Sequence, residues 1–401
     1  MDQIDLIREL SVKTSTKIIM VVLDGLGGLP HANTGKTELE TAYIPNLDSL
    51  AAQSICGLSD PVMPGVTAGS GPGHLALFGY DPLKYLIGRG VLEALGVDFN
   101  LKPGDVAARG NLCTLDDHGI ITDRRAGRIA TEKSRQIAVE LNGTEIEGIK
   151  VIVEAVKDHR LVLVFRGDGL SDSVTDSDPQ RVGMAPESVT AFNKASERMA
   201  HIANRFLAKA FEILANHHPA NGLLLRGFSH IPHYPGFKEI YKLDACAIAS
   251  YPMYRGLAKV VGMTVVKTGS TLSDEIQTLK ANFKAYDFFF LHVKATDAAG
   301  EDGDFNRKVS VMEDFDRALP QITALKPDVM VITGDHSTPA ALGGHGWHSV
   351  PVLVNGKFCR PDQVSRFNET TCITGGLGHI PACYLMPLAM ANALKLEKYG
   401  A

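Results

Sequence analysis

The chain has little of what would tie it to a disulfide scaffold, a membrane or a nucleic acid. Its 401 residues include six cysteines, at 56, 113, 246, 359, 372 and 383, with no C-x-x-C pair among them. That pattern excludes a Zn-thiolate finger and gives no disulfide framework; reduced, mostly buried thiols of a cytoplasmic protein are expected. No apolar run approaches the ~20 residues needed to span a bilayer. The opening MDQIDLIRELSVK is too polar and acidic for a signal peptide. A net charge of −5 leaves no basic excess for a nucleic-acid surface or a polybasic membrane patch. There is no low-complexity tract and no internal repeat. What remains is a soluble composition, 45% hydrophobic and 21% charged. The length exceeds one ordinary core, so two domains are the default. Oligomerisation is compatible with the sequence but not predicted by it.

Three short apolar runs, far apart in the chain, carry the chemistry. Lys17 to Leu23, KIIMVVL, ends in Asp24-Gly25. Phe288 to Val293, FFFLHV, leads through Lys294 to Asp297. Val329 to Ile332 stops at Thr333-Gly334, and Asp335-His336 follow at once. Each run predicts a buried strand. Ligands of open α/β sheets sit just outside the carboxyl ends of such strands. One Asp after a strand is usually a turn former or a cap. Three of them, with His345 and His348 delivered by the Gly-rich loop that follows, point to a shared polyvalent cation held by oxygen and imidazole.

Thr67 to Gly73 forms a small, Gly-rich loop before a helical pattern at His74 to Phe78. A serine there, Ser70, is placed for an anion at a helix N-terminus; a simple N-cap is the bland alternative. Beside a metal site, Ser70 becomes a competent nucleophile. From Val106 the character changes to strands and turns, and Val189 to Asn216 carries apolar residues at helical spacing (Phe192, Met199, Ile202, Phe206, Phe211, Leu214). An inserted α+β domain over 106–257 is expected, splitting a metal-binding domain made of 1–105 and 258–401. The insert is rich in arginine: Arg109, Arg124, Arg125, Arg128, Arg166, Arg181, Arg226 and Arg255. Several lie in loops beside Gly or Asp, where bidentate recognition of carboxylate or phosphate is built.

In chain order, L-D-G at Asp24, TAGSGPGHLALFGYDP around Ser70, RGDGLSDSVTDSDP from Arg166, K-x-x-D at Lys294 and Asp297, G-D-H-S-T-P at Asp335 and H-x-W-H-x-V-P at His345 form one set. The set closely resembles the cofactor-independent phosphoglycerate mutases of the archaeal type, members of the alkaline phosphatase superfamily, over nearly the whole chain. The resemblance implies an α/β fold: an alkaline-phosphatase-like sheet with helices on both faces, interrupted by an inserted α+β transferase domain. It implies interconversion of 3-phosphoglycerate and 2-phosphoglycerate through a phosphoserine, without 2,3-bisphosphoglycerate, as in glycolysis and gluconeogenesis. It also implies two divalent ions, Mn²⁺ first, with Mg²⁺, Zn²⁺ or Co²⁺ as others. Carried over by motif, one ion falls to Asp24, Ser70, Asp335 and His336, the other to Asp297, residue 301 and His345. The chain departs from the family at 301, where Glu301 replaces the usual histidine and makes the site harder. Ser70 is the implied nucleophile, and Lys294 offsets charge on the phosphoryl group. Asp123 is the candidate for proton transfer, since a carboxylate beside Arg124 and Arg125 stays ionised. Arg124, Arg125, Arg128, Arg166 and Arg255 are the candidates for holding the substrate carboxylate, with His348 substrate-facing.

Three other readings compete. One is a phosphatase or phosphotransferase of the same superfamily acting on another small phosphoester or acceptor, such as homoserine. Another is a metal-stabilised binding protein. The last takes all these groups as caps and turns, which needs six independent coincidences in family order.

Overall fold

The structure is a computed structural model and describes residues 2–400. Fourteen strands run in chain order: β1 Ile18–Leu23, β2 Ile55–Asp60, β3 Val106–Leu115, β4 Ile121–Asp123, β5 Thr144–Ile146, β6 Ile149–Lys157, β7 Arg160–Arg166, β8 Gly222–Ser229, β9 Ala245–Ile248, β10 Thr264–Val265, β11 Phe288–Val293, β12 Val329–Thr333, β13 Val350–Gly356 and β14 Gly378–Pro381. They fall into two compact units, one of residues 1–86 with 234–401 and one of 87–233.

The first unit holds an eight-stranded sheet in the order β10-β9-β11-β1-β12-β13-β2-β14. The five strands from β10 to β12 are parallel, whereas β13 runs antiparallel to both its neighbours. β1 lies between β11 and β12, with Val22 level with His292 and Thr333. These three strands are buried throughout. They are continuous hydrophobic runs because both faces of the sheet are covered. On one face Ile19, Val21, Phe289, Leu291, Met330 and Ile332 join Met312, Phe315 and Leu319 of the Phe305–Thr323 helix in a single core. On the other, Phe288 and Phe290 meet Phe237 and Phe78 edge-on or tilted. The period-2 alternation of β11 therefore turns His292 to the same side as Phe288 and Phe290.

The second unit has a six-stranded sheet, β4-β3-β7-β6-β5 with β8 on the other side of β3. Its core lies between one face of the sheet and the Thr131–Leu141 and Glu197–Leu214 helices. The opposite face of β3, β7 and β8 presents Arg109, Arg160, Arg166 and Arg226, with Arg109 level with Arg226.

Three sequence expectations need adjustment. The division between units falls at 86/87 and 233/234, not at 105/106 and 257/258. Arg89–Gly96 is a helix closely packed on β3, with Gly90 against the Ala107 carbonyl, while Ala245–Ile248 pairs with β11 in the large sheet. Helix formation before Ser196 stops short: Phe192 is 71% exposed and lies outside the helix. The helix predicted from His74 begins four residues earlier, at Ser70, with Gly69 as its N-cap. Pro72 falls in the first turn, where its missing N–H costs nothing. Ser70 thus opens a helix instead of closing a loop.

That helix approaches the loop after β12 very closely. A methyl group at Gly73 would sit 2.2 Å from the Asp335 carbonyl oxygen. Gly73→Ala is expected to lower stability by ~1–3 kcal/mol, the usual cost of overpacking, as a fall in the urea midpoint. An unchanged midpoint would mean that the helix is not held against this loop.

Candidate active site

Parallel neighbours end side by side, so β11, β1 and β12 deliver their last residues to one place. Asp24 follows β1, Asp335 and His336 follow β12, and Asp297 stands in the first turn of the Ala295–Glu301 helix after β11. All four side chains are fully buried. Gly25 turns the chain after Asp24 with φ +64, and a Cβ there would meet Thr338 and Asp297, so the sharp exit from β1 requires glycine.

Two groups of side chains are spaced to grip a cation. Asp24, Asp335 and His336 form one; Asp297, His336 and His345 form the other, with His336 common to both. Nε2 of His336 lies 3.4 Å from Asp24 Oδ1, 3.2 Å from Asp335 Oδ2 and 3.2 Å from Ser70 Oγ. His345 stacks on His336 at 3.7 Å and puts its Nε2 3.6 Å from Asp297 Oδ1. Asp24 Oδ1 is buried and accepts no hydrogen bond, and the buried Asp335 Oδ2 has only imidazole nitrogens near it, those of His74 and His336 at 3.0 and 3.2 Å. Buried carboxylate oxygens without donors are costly unless a cation satisfies them. The donor set of carboxylate oxygens, imidazole nitrogens and a hydroxyl fits divalent ions such as Mn²⁺ or Zn²⁺.

A ring of donors holds these acids. Burial opposes ionisation of Asp24, but the Lys294 ammonium and His292 outweigh it and keep the carboxyl well below the usual range. Lys294 Nζ is 3.0 Å from Asp24 Oδ2 and also bonds Asp297. Partial burial works against its charge, yet Asp24, Tyr254 and Asp297 hold its pKa well above normal. His74, one turn along from Ser70, lies with Nδ1 2.8 Å from the Ser70 carbonyl and 3.0 Å from Asp335 Oδ2. Burial pushes the His74 imidazole down, but Asp335 and Asp24 more than reverse that. Thr338 donates to Asp297 at 2.6 Å and lies 3.0 Å from His336 Nδ1, which fixes that ring. Behind the loops, the fully buried Lys308 donates to the carbonyls of Gly27 and Thr338 at 2.9 and 2.8 Å, tying the exits of β1 and β12 together.

Other expected residues are placed differently. Glu301 is exposed at the end of its helix and belongs to neither cation group, although it is one turn beyond Asp297. His348 is half-buried, stacked on Trp347, and lines a cavity of about 490 Å³ with Leu29, Pro64 and Glu369. Arg255 is on the Pro252–Val260 helix of the first unit. In the second unit, Asp123 accepts the backbone N–H groups of Arg125 and Gly127 at 2.8 and 2.7 Å, the geometry of a turn-forming aspartate. Arg124 is bidentate to Asp178, and Arg166 to Asp105. Arg125 and Arg128 are exposed in the same loop as Asp123. The sequence reading missed Tyr254, His292, His74, Thr338 and Lys308. His292 was within reach, being the one polar residue in an apolar strand; Lys308, in an ordinary amphipathic helix, gave no signal.

Buried acids, a histidine pair and a helix-opening serine at the strand ends of a helix-flanked α/β sheet define the class: an α/β fold with a donor set suited to divalent cations. Residues 51–221 match the profile of 2,3-bisphosphoglycerate-independent phosphoglycerate mutase. The chain is 50% identical over 406 residues to a probable mutase of that kind from Thermus thermophilus, covering all of both chains. It is 50% identical over 408 residues to the Aquifex aeolicus counterpart, with 99% of this chain and 100% of the relative covered. Among solved structures, a Pyrococcus horikoshii protein superposes with a TM-score of 0.84 at 31% identity, over 97% of this chain and all of the other. The cofactor-independent phosphoglycerate mutase of Thermoplasma acidophilum follows with 0.68 and 31%, over 94% and 100%. The chain belongs to the 2,3-bisphosphoglycerate-independent phosphoglycerate mutase family. Among the described residues, no helix is long and apolar enough to cross a membrane.

Two outcomes follow from these contacts. Lys308→Met leaves the buried Thr338 carbonyl without a donor, while that of Gly27 keeps the N–H of Thr338, so a loss of ~1–3 kcal/mol is expected, read as a lower Tm; a wild-type Tm would show that the clamp is idle. In the second unit, burial and then the charges of Arg160 and Arg109 push the His159 imidazole down to about 3, from 6.5 in the unfolded chain. The unfolded state therefore binds a proton that the folded state refuses. This contribution is complete above pH 6.5 and is lost as pH falls from there toward 3. The urea midpoint should drop between pH 7 and pH 4, and drop less in His159→Gln; identical pH profiles would contradict the assignment.

Proposed function

We propose that this chain interconverts 3-phosphoglycerate and 2-phosphoglycerate, as an isomerase independent of 2,3-bisphosphoglycerate, through a phosphoserine at Ser70. The observation that carries the reading is the placement of Ser70 Oγ, 3.2 Å from the histidine that both cation groups share, at the start of a helix. A helix N-terminus favours the anionic group that the serine would carry. Two divalent ions, Mn²⁺ by preference, would be held by Asp24, Ser70, Asp335 and His336 and by Asp297, Glu301 and His345; when bound they would favour ionisation of the serine and offset phosphoryl charge.

Ser70 attacks the phosphorus of 3-phosphoglycerate, and the bond from phosphorus to the C3 oxygen breaks. The departing oxygen takes a proton, and glycerate stays bound. Its C2 hydroxyl then gives up a proton and attacks the phosphoserine, releasing 2-phosphoglycerate and restoring Ser70. Lys294 holds the phosphoryl oxygens throughout, an electrostatic role of the kind that dominates such transfers. Asp123 would exchange the protons, and Arg124, Arg125, Arg128, Arg166 and Arg255 would hold the glycerate carboxylate, with His348 toward the substrate. The backbone bonds of Asp123 and the pairing of Arg124 and Arg166 leave the exposed Arg125 as the stronger carboxylate candidate. Glu301, exposed in this structure, is the weakest member of the expected ligand set. A cytoplasmic location fits this reading.

The test is metal-stripped protein supplied with 3-phosphoglycerate and enolase, with Mn²⁺, Mg²⁺, Zn²⁺ or Co²⁺ added back and no 2,3-bisphosphoglycerate. Metal-restored 2-phosphoglycerate formation that falls at least 1000-fold in Ser70→Ala is expected, of the order seen when a nucleophile is removed. Phosphate release without mutase activity would overturn the reading in favour of a phosphatase.

A further inference from the structure

Resting on the mutase reading above, we infer that Tyr254 is a positioning residue: its phenol holds Asp24 and Lys294 in the arrangement that the cation and the phosphoryl group require. Tyr254 lies on the Pro252–Val260 helix and is fully buried. Its ring is stacked on His292 at 3.7 Å and 25° and tilted against His74 at 4.9 Å. Packed on two sides by imidazoles, the hydroxyl has one place to be.

Three contacts meet at that hydroxyl. It donates to Asp24 Oδ2, accepts from Lys294 Nζ at 3.1 Å, and lies 3.5 Å from Ser70 Oγ. Asp24 Oδ2 also has the Lys294 ammonium at 3.0 Å and His292 Nε2 at 3.3 Å. Its other oxygen, Oδ1, is buried and accepts nothing, and faces His336. The carboxylate is therefore divided. One oxygen is saturated by protein donors and the other is kept bare for a cation, which fixes rotation of the carboxylate and allows only one-oxygen ligation.

The phenol also acts on Lys294. That ammonium has two carboxylates within reach, Asp24 and Asp297. It already bonds both, and the Tyr254 hydroxyl adds a neutral third acceptor at 3.1 Å. Tyr254, itself 3.5 Å from Ser70 Oγ, thereby fixes where the ammonium stands between the two acids. Loss of a charge-assisted hydrogen bond of this kind lowers a rate or an affinity by about 10- to 100-fold.

The test compares wild type, Tyr254→Phe and Tyr254→Leu as full-length chains. The readouts are kcat and KM for 3-phosphoglycerate at saturating Mn²⁺, Mn²⁺ affinity of the metal-stripped protein by electron paramagnetic resonance titration, and Tm. In Tyr254→Phe the stacked ring remains and only the hydroxyl is lost. The expected result is a kcat lower by about 10- to 100-fold, a KM within about 3-fold of wild type, Mn²⁺ binding weaker by about 10-fold, and a Tm near wild type. Tyr254→Leu removes the ring as well, so its Tm should fall. Wild-type kcat and Mn²⁺ affinity in Tyr254→Phe would overturn the inference. So would losses in Tyr254→Phe accompanied by the same fall in Tm as Tyr254→Leu, which mark a packing role. An inactive wild type would instead count against the mutase reading, while the Mn²⁺ titration would still decide on Tyr254.

Discussion

Three aspartates, Asp24, Asp297 and Asp335, are fully buried within reach of one histidine. Bringing that much negative charge out of water is costly, and most of the first unit's unusual chemistry answers it. Lys294 lies against Asp24 and Asp297, Thr338 also donates to Asp297, and His74 and the backbone N–H of Gly25 lie against Asp335. These donors do not reach every oxygen. Asp24 Oδ1 stays bare and points the site toward divalent cations. The protein thus leaves an excess of negative charge that a divalent cation would balance.

Such a cluster needs walls that approach closely, and glycine supplies them. Gly73 lets the Ser70 helix touch the Asp335 carbonyl, Gly300 lets the Asp297 helix touch the Thr338 carbonyl, and Gly25 makes room for Thr338 and Asp297. Lys308 then ties the Gly27 and Thr338 carbonyls together from behind. The site is held by backbone contacts as much as by its own side chains, the kind of support that keeps a catalytic group within a few tenths of an ångström.

The second unit carries its own core and a different chemistry. One sheet face is apolar and packed by two long helices. The other is lined by arginines, some already matched to Glu93, Asp105, Asp176 and Asp178. His159 stays neutral among them because burial and the neighbouring guanidiniums both disfavour its protonated form. An arginine-lined face can recognise carboxylate or phosphate groups by bidentate contacts.

Periodicity and spacing in the sequence determined a good deal by themselves. Continuous apolar runs marked β1, β11 and β12 as buried strands, because a strand covered on both faces has no polar side to show. The aspartates just after them were legible as site residues, since strand ends are where an α/β sheet meets its ligand. The serine was legible too, but its helix began earlier than the His74 pattern implied, because Pro72 is harmless in a first turn. Phe192 read as core and is exposed, as helical spacing cannot tell where a helix starts. Only the tertiary structure decided that His336 serves both cation groups, that Glu301 faces solvent, and that Tyr254, His292 and Lys308 support the acids. Tyr254, His292 and Lys308 lie 30 to 281 positions from the groups they touch, or sit in helices with ordinary patterns. Local sequence fixes which face of an element a side chain takes, and only the packing of distant elements decides what that face meets.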